Sequence, residues 1–232
     1  DAVQTLTLYV SLRSFTDTLR VELFTPEGLI AAESEARVSV ILPRERLYVR
    51  ISDTLSSTIN LTSAASAGQV ITQADIPVTT LPDRAVGLEA VDVLVISNAD
   101  TEPLSINQRA ALRDWIIGGG HLIATGGANY QATAIGLNDL LPVLPNDSIT
   151  TEDFGGLVNL TGVGYVLEQN TVSSVISTGQ LTEDAQVLAQ NQAGQPLVVR
   201  RQLGAGMVDY LTFDPLASPF DRWSGQPELW LT

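Results

Sequence analysis

Alternating polar and apolar residues mark the first part of the chain as β structure. A period of two runs through residues 4–12, 19–24 and 36–42, which is typical of strands with one buried face. Residues 25–28, with a Pro and a Gly, indicate a turn. We therefore predict an all-β module over residues 1–43, although so short a segment can hardly bury a sandwich core by itself.

The pattern changes after residue 44. Strands are predicted at 46–52, 69–76 and 91–97, and the last of these is almost wholly apolar, as expected for a strand covered on both faces. A short helix is predicted between the first two strands, at residues 56–68, because Gly68 can end it.

The next unit has a strong local signal. Ser105 and Gln108 have the spacing of a capping box, which predicts that a helix starts here. Glycines at 118–120 end the helix, and the apolar segment 121–125 begins a strand. A strand, a capped helix and a second strand make a βαβ unit, which implies a parallel sheet. Four residues share the apolar face of the helix: Ala111, Leu112, Trp115 and Ile116.

The remainder of the chain is more varied. A short helix is predicted within 131–141, and short antiparallel strands and loops fill 144–195. Residues 196–203 and 207–213 form a hairpin around a glycine turn. The fold class is therefore α/β over residues 44–232, with a parallel sheet and with 144–195 as an irregular, β-rich insertion.

Composition narrows the chemistry. The net charge is −14 and the pI is about 4.2, which argues against nucleic acid and anionic membrane surfaces as partners. The 232 residues include no Cys, no Lys and a single His, His121. Thiol nucleophiles, zinc–thiolate sites, Schiff bases and sites with several histidines of one chain are thereby excluded. Carboxylate chemistry, oxygen-ligand metal binding and binding without catalysis remain.

Polar residues and glycines follow the predicted strands, at the edge where open α/β sheets bind ligands. Their oxygens could hold Ca²⁺ or hydrogen-bond a polar ligand. Asp and Asn also follow strands because they cap turns and helices, so a purely structural role stays open. The candidate ligand-binding residues are Asp53, Asn98, Asp100, Gly126, Gly127, Asn129 and Asp214.

Catalytic interpretations of these residues are limited. His121 opens its strand, so it lies roughly 15 Å from Gly126, whereas direct proton transfer needs about 3 Å. A pair of carboxylates among Asp53, Asp100 and Asp214 could act as in glycosidases, or in another carboxylate- or metal-dependent hydrolase of a polar substrate. Such a hydrolase predicts that the three aspartates converge in one cleft.

Two stretches carry a resemblance to a known family. "VDVLVISNADTEPLSINQRAALRDWIIGGGHLIATGG" (91–127) resembles the central βαβ unit of class I glutamine amidotransferase-like domains. "QPLVVRRQLGAGMVDYLTFDPLASPF" (195–220) resembles the closing hairpin of a non-catalytic branch found in bacterial membrane-anchored, extracytoplasmic proteins. The resemblance covers 44–232 and implies a three-layer, flavodoxin-like domain. Amidotransferases have a Cys at the turn after the second strand, whereas this chain has Gly126 and Gly127, so glutaminase activity is not implied.

The function expected from the sequence is binding or scaffolding without catalysis. We expect no cofactor and no metal site, and the partner would be an unknown protein or a small polar ligand. The chain begins at Asp1 and has no apolar run of about 18 residues. We therefore expect a segment of a larger, membrane-anchored bacterial protein exposed outside the cytoplasm, with the membrane contact outside this chain. The hydrolase is the alternative, a structural spacer is a third, and the oligomeric state stays open.

Overall fold

The computed structural model describes residues 7–10, 17–53, 59–65, 69–163 and 173–230. Contacts divide the chain into two units, Asp1–Pro43 and Arg44–Thr232.

The first unit contains an antiparallel hairpin. Strand β1 (Thr18–Phe24) pairs with β2 (Ile30–Arg37) around a turn in which Gly28 donates to the carbonyl of Thr25 and has a φ of 85°. The predicted strand at 36–42 is correct only for residues 36–37, because the turn places the residues directly after it, which form β2, alongside β1. Of the predicted strand at 4–12, residues 7–10 are not in a strand and the others lie outside the described residues.

The second unit is built on a central sheet of seven strands in the order β4-β3-β5-β6-β11-β10-β9. The first five strands are parallel to one another, and β10 is antiparallel to both β11 and β9. A separate two-stranded sheet pairs β7 with β8. The mixed α/β architecture with a mostly parallel sheet is thereby confirmed. The strands are β3 (Glu45–Ile51), β4 (Val70–Ile76), β5 (Val93–Ile96), β6 (His121–Thr125), β7 (Val143–Thr151), β8 (Ser174–Leu181), β9 (Ala185–Gln190), β10 (Pro196–Leu203) and β11 (Gly206–Leu211).

Helices are few and short in the described part of the chain. The α-helices are α1 (Ile106–Ile117), α2 (Tyr130–Ala134), α3 (Gly155–Thr161) and α4 (Gln226–Leu229), and short 3-10 helices lie at Leu61–Ala64, Val78–Thr80, Ala85–Leu88, Gly127–Asn129 and Phe220–Arg222. The predicted helix at 56–68 is reduced to the 3-10 turn at 61–64, while 56–58 and 66–68 are not described. None of the described helices is long and apolar enough to cross a membrane.

The βαβ unit around α1 forms as predicted. Ser105 Oγ accepts from the amide of Gln108 at 3.2 Å, and Gln108 Oε1 accepts from the amide of Ser105 at 2.9 Å, which is the complete capping box. Strands β5 and β6 then pair in parallel, with Val93 opposite His121. The four apolar residues predicted to face the core are buried.

Each face of the central sheet carries its own core. Successive residues of a strand point to opposite faces, so Leu94 and Ile96 join one cluster while Val93 and Val95 join the other. Helix α1 and the two 3-10 helices at 78–88 cover the first face. The segment 59–64, α3 and the chain end around Trp230 cover the second face. The central strands of the sheet therefore reach solvent mainly at their ends, whereas the outer strands β4 and β9 are partly exposed along their length.

Candidate functional site

The predicted residues at the carboxyl edge fall into two hydrogen-bonded groups. In the first group, Asp53 Oδ2 accepts the backbone amide of Asp100 at 2.6 Å, so the end of β3 is tied to the segment after β5. Asp100 Oδ1 in turn accepts the amide of Glu102 at 3.0 Å. Both carboxylates are exposed, and each one organises the local backbone.

The second group joins Asn98, Asn129 and Asp214. Asn98 Nδ2 donates to Asp214 Oδ2 at 2.8 Å, and Asn129 Nδ2 donates to Asn98 Oδ1 at 3.3 Å. Asp214 Oδ1 also accepts the amide of Leu216 at 2.9 Å. Asn98 has a φ of 50°, a conformation that Asn tolerates better than most residues. The hydrogen bonds of the described residues do not link this group to Asp53 and Asp100.

The turn after β6 holds Gly126 and Gly127 in close contact with their surroundings. A Cβ at Gly126 would lie 2.2 Å from Ser177 Oγ and 2.7 Å from the carbonyl oxygen of Thr212. Gly127 has a φ of 78°, and a Cβ there would lie 2.9 Å from Asp214 Cβ. This turn therefore has no room for a nucleophilic side chain.

The amides of the same turn are also occupied. Gly126 donates to the carbonyl of Leu211 at 2.7 Å, and Gly127 donates to that of Thr212 at 2.8 Å. An oxyanion hole needs donors aimed at the position of the developing charge. These two amides instead extend the pairing of β6 with the strand β11 beside it.

Beneath this turn lies a buried polar pair that the sequence pattern did not reveal. Ser177 Oγ donates to the carbonyl of Thr212 at 3.0 Å, which leaves it to accept from Tyr210 OH at 2.9 Å. Burial raises the pKa of Tyr210, and the hydrogen bond with Ser177 opposes this effect only in part. Tyr210 is therefore a neutral donor that supports the turn.

At the opposite, amino edge of the sheet, His121 lies in a charged cluster. Its Nε2 lies 2.9 Å from Asp209 Oδ2, and Arg200 donates to both oxygens of Asp209 at 2.7 and 2.6 Å. Asp209 is only 2% exposed. Burial acts to raise the pKa of Asp209, but the hydrogen bonds from Arg200 and His121 outweigh it and hold this pKa below its ordinary value. The sequence signal for this cluster is an Asp inside an otherwise apolar strand.

A cavity of about 780 Å³ opens at the same amino edge. This volume falls within the roughly 300–1,000 Å³ that is usual for small-molecule sites. The cavity lies where β3, β5, β6 and β11 begin, against the glycine loop that precedes β6. Carboxylates and aromatic side chains are among the residues that line it. These are Glu89, Asp92, Asp114, Tyr48, Trp115 and Trp230.

Internal hydrogen bonds fix several walls of this cavity. Arg46 is ion-paired with Asp92 Oδ1, and Asp92 Oδ2 accepts the amide of Leu47 at 2.8 Å. The hydrogen bond with Asp92 raises the pKa of Arg46. Tyr48 OH donates to the carbonyl of Trp230 at 3.2 Å, and burial raises the pKa of this tyrosine. The cavity thus has ordered aromatic walls and an internally neutralised arginine.

Within the described ranges, no three His, Asp or Glu side chains converge as a group that could hold a metal ion.

Comparison of the sequence with known families identifies the family of this chain. Residues 56–231 match the family model described as a domain of unknown function, DUF7408. No curated protein matches the sequence significantly.

Solved structures show the same fold at low identity. The cytoplasmic protein STM1381 from Salmonella typhimurium LT2 is 21% identical, with a TM-score of 0.54, and the match covers 80% of this chain and 96% of that one. The cytoplasmic protein STM3548 from Salmonella typhimurium is 16% identical, with a TM-score of 0.53 and coverage of 93% and 94%. The mmIFT52 N-terminal domain is 9% identical, with a TM-score of 0.51 and coverage of 79% and 93%.

These findings correct two expectations. The resemblance to class I glutamine amidotransferase-like domains is wrong, since the matching family is DUF7408 and these structural neighbours are other proteins. The glycine and apolar pattern of 91–127 belongs to βαβ units in general, so it could not identify one family. The predicted extracytoplasmic, membrane-anchored location is likewise contradicted, because two of these neighbours are described as cytoplasmic proteins.

Proposed function

Since the chain belongs to the DUF7408 family of domains of unknown function, we propose its role from its own geometry. It is a non-catalytic domain that binds a small polar ligand or a segment of a protein in the cavity at the amino edge of its central sheet. The observation that carries this proposal is the cavity of about 780 Å³, which has both charged and aromatic walls.

The strand order directs attention first to the carboxyl edge. We interpret the parallel strands β4-β3-β5-β6-β11 as the flavodoxin-like order 2-1-3-4-5 of a three-layer domain, in which ligands bind where the strand order reverses. That point lies between β3 and β5. The hydrogen bond from the Asp100 amide to Asp53 bridges these two strands there. The protein's own groups thus occupy the usual crevice, which supports a binding site elsewhere.

The turn after β6 supports a non-catalytic role. Gly126 and Gly127 leave no space for a nucleophile, and their amides are bonded to backbone carbonyls. The alternative hydrolase would need Asp53, Asp100 and Asp214 to act on one substrate. Asp214 is instead bonded to Asn98, and Asp53 to the backbone of Asp100. We therefore favour binding over hydrolysis.

The amino edge offers both space and chemistry. The glycines at 118–120 keep the loop before β6 free of side chains, and the lining includes carboxylates, an arginine and aromatic rings. A few polar groups among apolar walls are the usual composition of a ligand site. The walls are held in place by the bonds of Tyr48 and Asp92, so a ligand would meet a preformed surface.

The test is a thermal-shift titration with amino acids, sugars, nucleotides and polyamines, using a variant with a blocked cavity. Val86 is 45% exposed and lines the cavity, so Val86→Trp fills it from the rim. Ile106→Trp is the matched control, because Ile106 is 85% exposed and does not line the cavity. A ligand at a hundredfold excess over its Kd adds about 2.7 kcal/mol to the free energy of unfolding.

We expect a saturable shift in the wild type and in Ile106→Trp that is lost in Val86→Trp. A shift that survives unchanged in Val86→Trp would place binding outside the cavity and refute the proposal. Hydrolysis of any compound in the titration, lost in Asp53→Asn or Asp214→Asn, would favour the hydrolase instead.

A further inference from the structure

We propose that the cavity at the amino edge binds an organic cation, namely an alkylammonium or guanidinium group carried on an apolar stem. This inference rests on the proposed binding function and adds the chemical class of the ligand. It follows from the balance of charge around the cavity and from the nature of its walls.

The charge balance around the cavity is negative. Glu89 and Asp114 are exposed at the cavity, and neither side chain forms an ion pair among the described residues. Arg113, the neighbour of Asp114 in the chain, is paired with Asp139 at 2.5 Å. Two carboxylates therefore face the cavity without a positive partner.

The basic side chains at the cavity are already engaged. Of the described residues that line it, Arg46 and His121 are the basic ones. Arg46 is paired with Asp92, and His121 Nε2 contacts Asp209. A positively charged ligand would therefore meet the carboxylates of Glu89 and Asp114 without a competing cation. The net charge of −14 also steers cations toward the chain.

The walls suit a cation with an apolar body. Tyr48, Trp115 and Trp230 border the cavity as buried apolar side chains, only 6%, 7% and 1% exposed. Val86 and Met207 add apolar surface for an alkyl stem. An anion would be repelled by the two carboxylates. A bare divalent ion would need a converging group of ligands, which the described residues do not provide.

The same chemistry can come from a free amine or from a Lys or Arg side chain of a protein segment. Isothermal titration calorimetry at low ionic strength distinguishes the two sources. Agmatine and cadaverine are the free cations, and short capped peptides with a central Arg or Lys represent a segment. Glutamate is the anionic control and glucose is the neutral one. Tighter binding of the peptides than of agmatine would identify a protein segment as the source.

Neutral variants of equal size test the role of the carboxylates. We expect Glu89→Gln and Asp114→Asn each to weaken agmatine binding about fivefold, the upper range for an exposed ion pair. Added salt should weaken binding further. Glu102→Gln is the matched control, because Glu102 is exposed but lies at the carboxyl edge, and its Kd should equal that of the wild type. Val86→Trp should abolish binding.

The outcomes separate this inference from the proposed function. If glutamate or glucose binds in a manner that Val86→Trp abolishes while agmatine, cadaverine and the peptides do not bind, the cation class is wrong and the binding function stands. If agmatine binds equally to the wild type, Val86→Trp and both carboxamide variants, it binds elsewhere and the inference is refuted. If no probe of either experiment binds, both proposals fail.

Discussion

Replacement of Gly126 by alanine tests the argument that the turn after β6 has no room for a side chain. The added Cβ would lie 2.2 Å from Ser177 Oγ, 2.7 Å from the carbonyl oxygen of Thr212 and 2.7 Å from Tyr210 OH. Two of these atoms belong to buried side chains that hydrogen-bond each other, and the third belongs to the backbone. The surroundings therefore have to move.

The expected cost has two parts. Insertion of a carbon into a well-packed region costs about 1–3 kcal/mol through strain and backbone displacement. Displacement of Ser177 also weakens its hydrogen bond with Tyr210, which contributes about 1 kcal/mol. We therefore expect Gly126→Ala to lower the free energy of unfolding by about 2–4 kcal/mol. For a chain of this size the melting temperature should fall by about 5–15 °C.

Tryptophan fluorescence during urea denaturation measures this effect in the second unit. All three tryptophans, Trp115, Trp223 and Trp230, belong to the unit Arg44–Thr232. The matched control is Gly155→Ala at the start of α3, where the nearest neighbour of an added Cβ is the Asp153 carboxylate at 3.4 Å. That variant should be as stable as the wild type or slightly more stable, because alanine favours helix over glycine.

A second variant separates the two parts of the cost. Gly126→Ala combined with Ser177→Ala removes the nearest clash, but the Thr212 carbonyl still lies 2.7 Å from the new Cβ. The double variant should therefore stay less stable than Ser177→Ala alone. Stability of Gly126→Ala within about 0.5 kcal/mol of the wild type, the usual range of a neutral surface change, would refute the steric argument and make a side chain at this turn feasible.

Three further predictions concern groups whose contacts are equally well defined. Asp209→Asn should cost about 3 kcal/mol, because it leaves the partly buried Arg200 without its charged partner. Since the pKa of Asp209 is held below its ordinary value, its stabilising effect is complete above the unfolded-state pKa of about 4 and is lost as the pH falls through the folded-state pKa. The wild type should therefore lose more stability than Asp209→Asn between pH 5 and pH 3 in urea titrations. Ser105→Ala should cost about 1 kcal/mol through loss of the cap of α1. Leu112→Ala, at a fully buried position, should cost about 3 kcal/mol, and both helix variants are measured by urea denaturation.

Control variants distinguish these specific effects from non-specific destabilisation of the fold. Ser105→Asp should retain most of the stability, because Asp also accepts the amide bond of a cap. Ile117→Ala, on the same helix but 44% exposed, should cost much less than Leu112→Ala. Equal pH profiles of the wild type and Asp209→Asn would contradict the depressed pKa of Asp209. Equal losses for Ile117→Ala and Leu112→Ala would contradict the packing of α1 on the sheet.

The secondary-structure predictions were correct where a pattern within a few neighbouring residues determines the element. The capping box of Ser105 and Gln108 spans four residues, so it marks the start of α1 without knowledge of the rest of the fold. The strand β5 was predicted from its almost unbroken apolar run, which requires cover on both faces. In the first unit, alternation alone did not choose the partner of β1, because more than one neighbouring segment alternates. The tight turn at Gly28 determines the pairing, because it places the residues directly after it beside β1.

In the candidate site, too, local patterns predicted where residues lie on their strands, but not which distant residues they contact. The sequence placed Asn98 and Asp214 at one edge, since both follow strands, but their hydrogen bond joins residues 116 positions apart. His121 was placed correctly at the start of its strand, yet its partner Asp209 lies 88 positions later. Neither contact leaves a periodic signal. The cavity was not predicted, because open α/β sheets usually bind ligands at the carboxyl edge and the candidate residues were chosen at that edge.

The sequence by itself determined the α/β class, most strand positions, the βαβ unit and the absence of thiol and lysine chemistry, because these depend on composition and on contacts within a few residues. The tertiary structure decided the rest. Parallel pairing of β6 with β11 places His121 beside Asp209, leaves Gly126 no space for a side chain and opens a cavity where the strands begin. These features depend on the register between segments more than 80 residues apart, which no local pattern encodes.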